Sequence, residues 1–232
     1  VAIIGGGAAG FFSALTLSEL DPKAEIHLFE KRNQWLSKVK ISGGGRCNVT
    51  HHCFDPKTLS EKYPRGSKEL RAAFHTWQPQ DTIDWFAQRK VQLKAEADGR
   101  MFPTSDDSKT IINCFLEEAR KSKIKLKKGH SIDGLRLNSD GSFLLKINGE
   151  NEVSYKAVCL ALGSLKSTPL ENSLRKLGHS IESLAPSLFA FNVNDIRTYG
   201  LSGLSVPNAE VWVDTVKTVS YTHLRAHETG YN

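Results

Sequence analysis

The sequence predicts an α/β fold in which helices pack on a parallel sheet, followed by the start of a mostly-β domain. Three observations carry that expectation. An apolar run, Val1–Ile4, leads straight into the glycine cluster "GGGAAG". A helical pattern and a second short strand, "IHLFE" (26–30), then complete a strand–helix–strand unit within thirty residues, the span such a crossover needs. Farther on, residues 124–162 break into short strand-like pieces separated by "NSDG" and "NGEN", which are hairpin signals.

Each element follows from its pattern. Val1–Ile4 ends on glycine and is apolar throughout, as a buried parallel strand is. Ala8–Leu20 is helical, with Phe12, Leu15 and Leu20 near one face, and Asp21-Pro22 stops it. Residues 67–91 carry two helices. Leu70, Ala73, Phe74 and Trp77 form one stripe; after a break at Pro79, Ile83, Phe86 and Ala87 form another. Both stripes read as core.

A helix over 108–121 is expected to bury Ile112, Phe115, Leu116 and Ala119, with Cys114 as a small core residue. "IKLKKG", "IDGLRLN", "SFLLKIN" and "AVCLALG" read as successive strands. The last, apolar over 157–162, is placed centrally in a sheet with Cys159 in the core. A helix around Leu170, Leu174 and Leu177 ends at Gly178. From Leu188, "LFAFNV" and "AEVWVD" open the second domain.

Composition bounds the function. With 39% apolar and 24% charged residues in a chain of 232, a packed core is expected and wholesale disorder is not. No apolar run approaches the roughly eighteen residues of a membrane span, and the N-terminus lacks a secretory signal's basic start and cleavage site. It also lacks a methionine, so a few residues are expected to precede Val1. The four cysteines form no CxxC pair, which fits reduced thiols in a cytoplasm. Much of the +6 net charge lies in "RKSKIKLKKGH" (120–130). That stretch reads as the solvated end of a helix and the polar face of a strand, so neither nucleic acid nor membrane is an expected partner.

Gly5-x-Gly7-x-x-Gly10 sits between the first strand and its helix. The first glycine permits a tight turn, the second lets a pyrophosphate approach the backbone, and the third lets the helix pack on the sheet. Ala8 and Ala9 open the helix, whose free amides and positive dipole end suit phosphates. Glu30 ends the next strand twenty residues after Gly10, where a carboxylate accepts from ribose hydroxyls and repels a 2′-phosphate. Glu30 and Lys31 join the glycines as candidate contacts to FAD or NAD, with NADP disfavoured.

A second cluster, "ISGGGRCNVTH" (41–51), narrows the choice. Together with "DGRMFPTSDDS" (98–108), "LGHSIESLAPSLFAF" (177–191) and the return strand "AVCLALGS" (157–164), it resembles the BaiN/YhiN family of bacterial flavoproteins. These are NAD(P)/FAD-dependent oxidoreductases, also described as aminoacetone-oxidase-family FAD-binding enzymes. The matches run in order from residue 1 to about 213. The resemblance implies a Rossmann-like FAD domain of glutathione-reductase type with a β-meander, an inserted barrel-like domain, a small helical part and tightly bound FAD. Its expected boundaries here are 1–187 for the FAD domain and 188–218 for the start of the inserted one.

The resemblance places Ser42, Gly43, Gly44, Gly45, Arg46, Cys47 and Asn48 over the cofactor, with Lys38 as a further cation and Gly163 in the return turn. Glycines without Cβ allow close approach, while Arg46 and Asn48 supply donors. Arg46 reads alternatively as a surface ion pair. Cys47 and Arg100 are the weak catalytic candidates; Arg100 reads equally as a structural partner of Asp98 or Asp106. Cys47, His51, His52 and Cys53 match no standard zinc spacing, so no metal is expected.

Two features depart from the family. The glycine-rich segment usual after the return strand is replaced by "GSLKSTPLENSLRKLGH". The ending "VSYTHLRAHETGYN" (219–232) resembles an adapter-derived tail and is set apart from the native fold. Family members are longer, so most of the inserted domain and a closing segment are expected to be missing. The expected function is hydride transfer from NAD(P)H through FAD to a small organic acceptor such as a conjugated enone. An amine or aminoketone oxidase and a non-catalytic FAD-binding fragment are the alternatives.

Overall fold

The computed structural model describes residues 1–63, 66–165 and 168–183, and beyond them Ile196, Tyr199, 205–213 and 216–225. They fall into two units, 1–181 and 182–232.

The first unit is built on four parallel strands: β1 (Ala2–Ile4), β2 (His27–Glu30), β6 (Lys125–Lys128) and β10 (Val158–Leu160). Their order is β10-β1-β2-β6, and every pairing is parallel. Helix α1 (Ala8–Leu20) makes the crossover from β1 to β2.

Two corrections to the sequence reading arise here. "IKLKKG" does not open the meander; as β6 it extends the parallel sheet beside β2. Its lysines 125, 127 and 128 are exposed and Leu126 half-buried, in keeping with the solvated reading of that basic stretch. The apolar return strand β10 is not central; among the described residues it ends the sheet, paired only with β1. Val158 packs into one core cluster and Cys159 into the other. Val158 and Cys159 are partly covered on opposite faces and Leu160 is exposed, so the apolar run marks contact with both clusters rather than a central position.

The meander consists of β7 (Ile132–Leu137), β8 (Phe143–Ile147) and β9 (Asn151–Tyr155), antiparallel throughout. Asn148 and Gly149 turn the second hairpin with φ of 51° and 76°, the left-handed pair that favours Asn-Gly. The sequence reading missed β9 because only Tyr155 of its residues is buried, which leaves no apolar alternation to see.

β1 divides the core. Ile3 joins a cluster with Phe11, Leu15, Leu28, Trp85 and Phe115. Ala2 and Ile4 join one with Phe29, Leu135, Leu145 and Leu170 on the other face. Helices α5 (Pro79–Gln88) and α6 (Ser108–Lys121) contribute to the first. The meander and α7 (Thr168–Lys176) supply the second. The result is a sheet between a helical layer and a β-meander, as a glutathione-reductase-type domain requires.

α6 buries Ile111, Cys114, Phe115 and Ala119, whereas Ile112 and Leu116 are only partly covered. α5 buries Trp85 and Phe86. The expected stripe on α4 (Ser67–Thr76) and the following Trp77 is not core: α4 has no buried residue and Trp77 is 41% exposed. Between β2 and α4 lie α2 (Ser37–Ile41), a tight turn over Ser42–Gly45, β3 (Thr50–His51) and α3 (Pro56–Glu61). β3 joins β5 (Arg100–Pro103) and β4 (Leu93–Ala95) in a small antiparallel sheet of order β3-β5-β4.

In the second unit, β11 (Ser205–Val213) and β12 (Val216–Arg225) form an antiparallel hairpin. "AEVWVD" begins in β11, while "LFAFNV" lies outside the described residues. β12 runs through residues 219–225, pairing Val219 with Val211 and Arg225 with Ser205. No described helix is long and apolar enough to cross a membrane.

Candidate functional site

A cleft of about 810 Å³ opens at the carboxyl ends of the parallel strands, where open α/β sheets bind their ligands. Each strand delivers residues to it: β1 through Gly5, β2 through Glu30, β6 through His130 and β10 through Ala161–Leu165.

The glycine turn is shaped by contacts a side chain would break. A Cβ on Gly10 would lie 1.9 Å from the Gly5 carbonyl oxygen, and one on Gly5 2.3 Å from the Ala161 oxygen. A Cβ on Gly6 would strike the Trp35 ring at 2.4 Å. Gly7 differs: nothing lies within 4 Å of its missing Cβ, although its extended backbone at φ −91° would accept any residue. Gly5 and Gly10 therefore serve chain packing, and Gly7 keeps open a space at the N-terminus of α1. That space, beside the unpaired amides of a helix's first turn, suits a pyrophosphate.

Glu30 is tied to this turn. One carboxylate oxygen accepts from the Gly6 amide at 2.9 Å, the other from the Arg32 amide at 2.9 Å. A carboxylate has about four acceptor sites, so each oxygen keeps capacity for a ribose hydroxyl. The loop after β2 folds back across the glycines: the Leu36 amide donates to the Gly6 carbonyl at 2.8 Å, and Leu36 is buried.

Of the residues picked from sequence, Gly5, Gly7, Ala8, Ala9, Glu30, Lys31, Lys38, Ser42, Cys47, Asn48 and Gly163 all line the cleft. Lys38 brings its ammonium to 3.3 Å from where a Cβ on Gly163 would be, so α2 meets the return turn there. Gly10 lies buried beneath the turn.

Gly43, Gly44, Gly45, Arg46 and Arg100 do not line the cleft. The triple glycine forms a left-handed turn, with φ of 57°, 69° and 85°. Each such residue costs a side chain roughly 1–2 kcal/mol. At Gly43 a Cβ would also meet the Asn48 amide nitrogen and the Phe102 ring, each at 2.7 Å. Arg46 lies over Phe102, 4.0 Å from the ring centroid. It donates to Glu96 at 2.5 Å and lies 3.6 Å from Asp106. These acidic neighbours hold its guanidinium above its ordinary range. Arg100 pairs with Asp98 at 2.6 Å and with Glu96 at 3.2 Å. The segment thus locks residues 42–48 to the β4–β5 hairpin, and only its ends, Ser42 and Cys47–Asn48, reach the cleft.

Cys47 is buried, and burial pushes its thiol pKa up, with only a weaker opposing pull from Ser42. A protonated thiol is a poor nucleophile, so this environment does not prepare Cys47 for redox attack. All four cysteines are free. Among the described residues no three His, Cys, Asp or Glu side chains converge as a metal site.

Sequence reasoning missed Arg32, Ser37 and His130, which also line the cleft. His130 follows β6, and its amide donates to the Glu30 carbonyl at 3.0 Å. Assigning "IKLKKG" to the parallel sheet would have placed it at a carboxyl strand end. Apolar side chains fill the remaining wall, among them Phe12, Phe86, Ile111 and Phe115.

The family model described as the HI0933-like protein Rossmann domain matches residues 1–199. The chain belongs to the HI0933-like family. This family domain is a Rossmann-type FAD-binding domain, and the open cradle at Gly7, the acceptor at Glu30 and the cationic, partly apolar cleft fit that cofactor.

Among curated proteins, the HI0933-like chain is 25% identical over 199 residues to a 3-dehydro-bile acid delta(4,6)-reductase of Clostridium scindens, covering 83% of this chain and 47% of that one. It is 26% identical over 163 residues to a ribosomal RNA dihydrouridine synthase of Escherichia coli, covering 70% and 39%. The chain therefore spans about half or less of the length of these relatives. In fold it is similar to THI4 of Thermovibrio ammonificans, with a TM-score of 0.52 at 14% identity over 77% of this chain and 61% of that one.

Proposed function

We propose that this chain is the cofactor-holding part of a flavin-dependent reductase that takes hydride from NAD(P)H and delivers it to a carbon–carbon double bond conjugated with a carbonyl. The observation that carries the reading is the cleft itself: an open glycine cradle at Gly7, a carboxylate at Glu30 and an apolar wall, all at the carboxyl edge of the sheet. The relatives' names support the acceptor. One denotes reduction of ring double bonds in a 3-oxo bile acid, the other formation of a pyrimidine ring saturated where uridine is not. A double bond conjugated with a ring carbonyl is common to both. The reading fixes the acceptor's chemistry rather than the size of the molecule that bears it.

FAD, when bound, supplies two-electron hydride chemistry. The chain's own groups do the rest. Gly7 and the first amides of α1 receive the pyrophosphate, and Glu30 accepts from the ribose. Lys38, close to Gly163, sets a positive charge between α2 and the return turn, and Ser42, Cys47 and Asn48 form the wall beyond. Phe12, Phe86 and Phe115 exclude water from the apolar end. The free cysteines suit a reducing compartment such as the cytoplasm.

An anaerobic titration of the FAD-loaded protein tests the reading. NADH or NADPH is expected to bleach the flavin, and a cyclic enone to restore its colour. Bleaching by an amine instead, with peroxide formed on admitting air, would replace the reductase with an oxidase.

A further inference from the structure

His130 lines the cleft, yet neither glycine cluster accounts for it. It belongs to a segment, 129–131, whose backbone amides are all engaged. The Gly129 amide donates to the Arg32 carbonyl at 3.1 Å and the His130 amide to the Glu30 carbonyl at 3.0 Å. The Ser131 amide donates to the Asn148 side chain at 2.8 Å, and the Ser131 hydroxyl to Asp133 at 2.6 Å. The imidazole is oriented by its own strand. Its Nδ1 lies 2.8 Å from the Lys128 carbonyl oxygen. A carbonyl can only accept, so in the neutral ring Nδ1 bears the proton and Nε2 is an acceptor. Among the described residues Nε2 has no partner, and it is open to solvent.

We propose that His130 selects the base of the bound dinucleotide. Its Nε2 accepts a hydrogen bond from the exocyclic amine of adenine, and a purine with an oxygen at that position is disfavoured. The inference rests on Glu30 holding the ribose of FAD, and not on what the flavin reduces.

The surroundings of His130 suit a base. The ribose that Glu30 accepts from carries the base on its own ring, so the base lies beside the place where β2 and β6 end. The cleft wall on that side is apolar. Phe29, Ile132, Leu165 and Leu170 line it, and all four belong to or pack against the cluster on the meander face of the sheet. The His130 ring itself stands against Phe29, centroids 6.1 Å apart. Such walls cover the faces of a flat ring, and its polar edge then needs partners. Adenine presents a donor at the amine, whereas a 6-oxo purine presents an acceptor there. Opposite Nε2 the first makes a hydrogen bond and the second meets a lone pair. With its amides, the Ser131 hydroxyl and the Nδ1 proton engaged, segment 129–131 has no donor left for that oxygen.

The test titrates the chain, stripped of flavin, with FAD and with flavin hypoxanthine dinucleotide, followed by flavin fluorescence at pH 8.5. The two ligands differ only in the amine or oxygen on the purine. Wild type is expected to bind FAD roughly tenfold more tightly, the scale of one hydrogen bond made against one acceptor left unpaired. H130F keeps a flat ring beside Phe29 but no acceptor; it is expected to weaken FAD and lose the preference. H130Q can turn either its oxygen or its amide N–H₂ to the base, so it is expected to bind both ligands with similar affinity. A residue that only shaped the loop would change affinity without changing this preference. The proposal is overturned if wild type binds the two equally, or if H130F or H130Q keeps the wild-type preference. Should H130F fail to fold, H130Q decides. Equal binding by wild type leaves the reductase reading standing; binding of neither ligand overturns that reading together with this one.

Discussion

The Arg46 guanidinium lies over Phe102, 4.0 Å from its ring centroid, while donating to Glu96. This contact ties the left-handed glycine turn to the β4–β5 hairpin, and so determines where Cys47 and Asn48 enter the cleft. Lysine can replace the charge but not the guanidinium's delocalised face or its fork of donors. R46K is expected to lower the urea midpoint, and E96Q to cost less in the R46K background than in wild type. Strict additivity of the two in a double-mutant cycle would show that the pair does not couple.

His27 should make stability depend on pH near neutrality. Its ring is hydrogen-bonded to the Tyr155 hydroxyl at 2.7 Å and lies 3.2 Å from Glu25. Burial lowers its pKa, Lys125 and Lys127 push the same way, and Glu25 opposes them. With the folded pKa below the unfolded one, the unfolded chain takes up a proton first as pH falls. Stability is then full above the unfolded value and declines below it. Between pH 7.5 and 5.5 the urea midpoint is expected to fall, and to fall less in H27Q. An equal fall in both proteins would assign the effect to other groups.

The cysteines should separate by burial. Burial raises the Cys47 thiol and pushes Cys114 up to about 11, whereas Cys53 and Cys159 are only partly covered. Brief treatment with iodoacetamide at pH 8, followed by peptide mass spectrometry, should label Cys53 and Cys159 before Cys47 and Cys114. Early labelling of Cys47 would point to an activated thiolate that the structure does not show.

The strand–turn–helix unit at the cleft was legible in the sequence because it is local. Gly5, Gly7, Gly10 and Glu30 lie within one βαβ unit, so spacing alone brings them together. What failed needed long-range pairing. The lysine-rich β6 gives the same signal in a meander as in a parallel sheet, and only its pairing with β2 brings His130 to the cleft. Trp77 ends an apolar stripe, yet it lines the cleft rather than the core. Arg46 was read toward a cofactor because glycines and an arginine suit one. Its partners Glu96 and Asp106 lie fifty and sixty residues away, beyond any local pattern.

The central claim is that Gly7 keeps space for the pyrophosphate of FAD, and a pair of substitutions tests it most directly. G7A meets no protein atom within 4 Å and should change stability by no more than about 1 kcal/mol, the scale of an N-cap replacement. G10A would set a methyl 1.9 Å from the Gly5 oxygen and should destabilise the fold by about 1–3 kcal/mol, as overpacking does. The deciding measurement is a titration of wild type and G7A with FAD, followed by flavin fluorescence. The account predicts saturable binding to wild type and at least tenfold weaker binding to a G7A protein that unfolds at nearly the same urea concentration. Equal FAD affinity in the two proteins would contradict it.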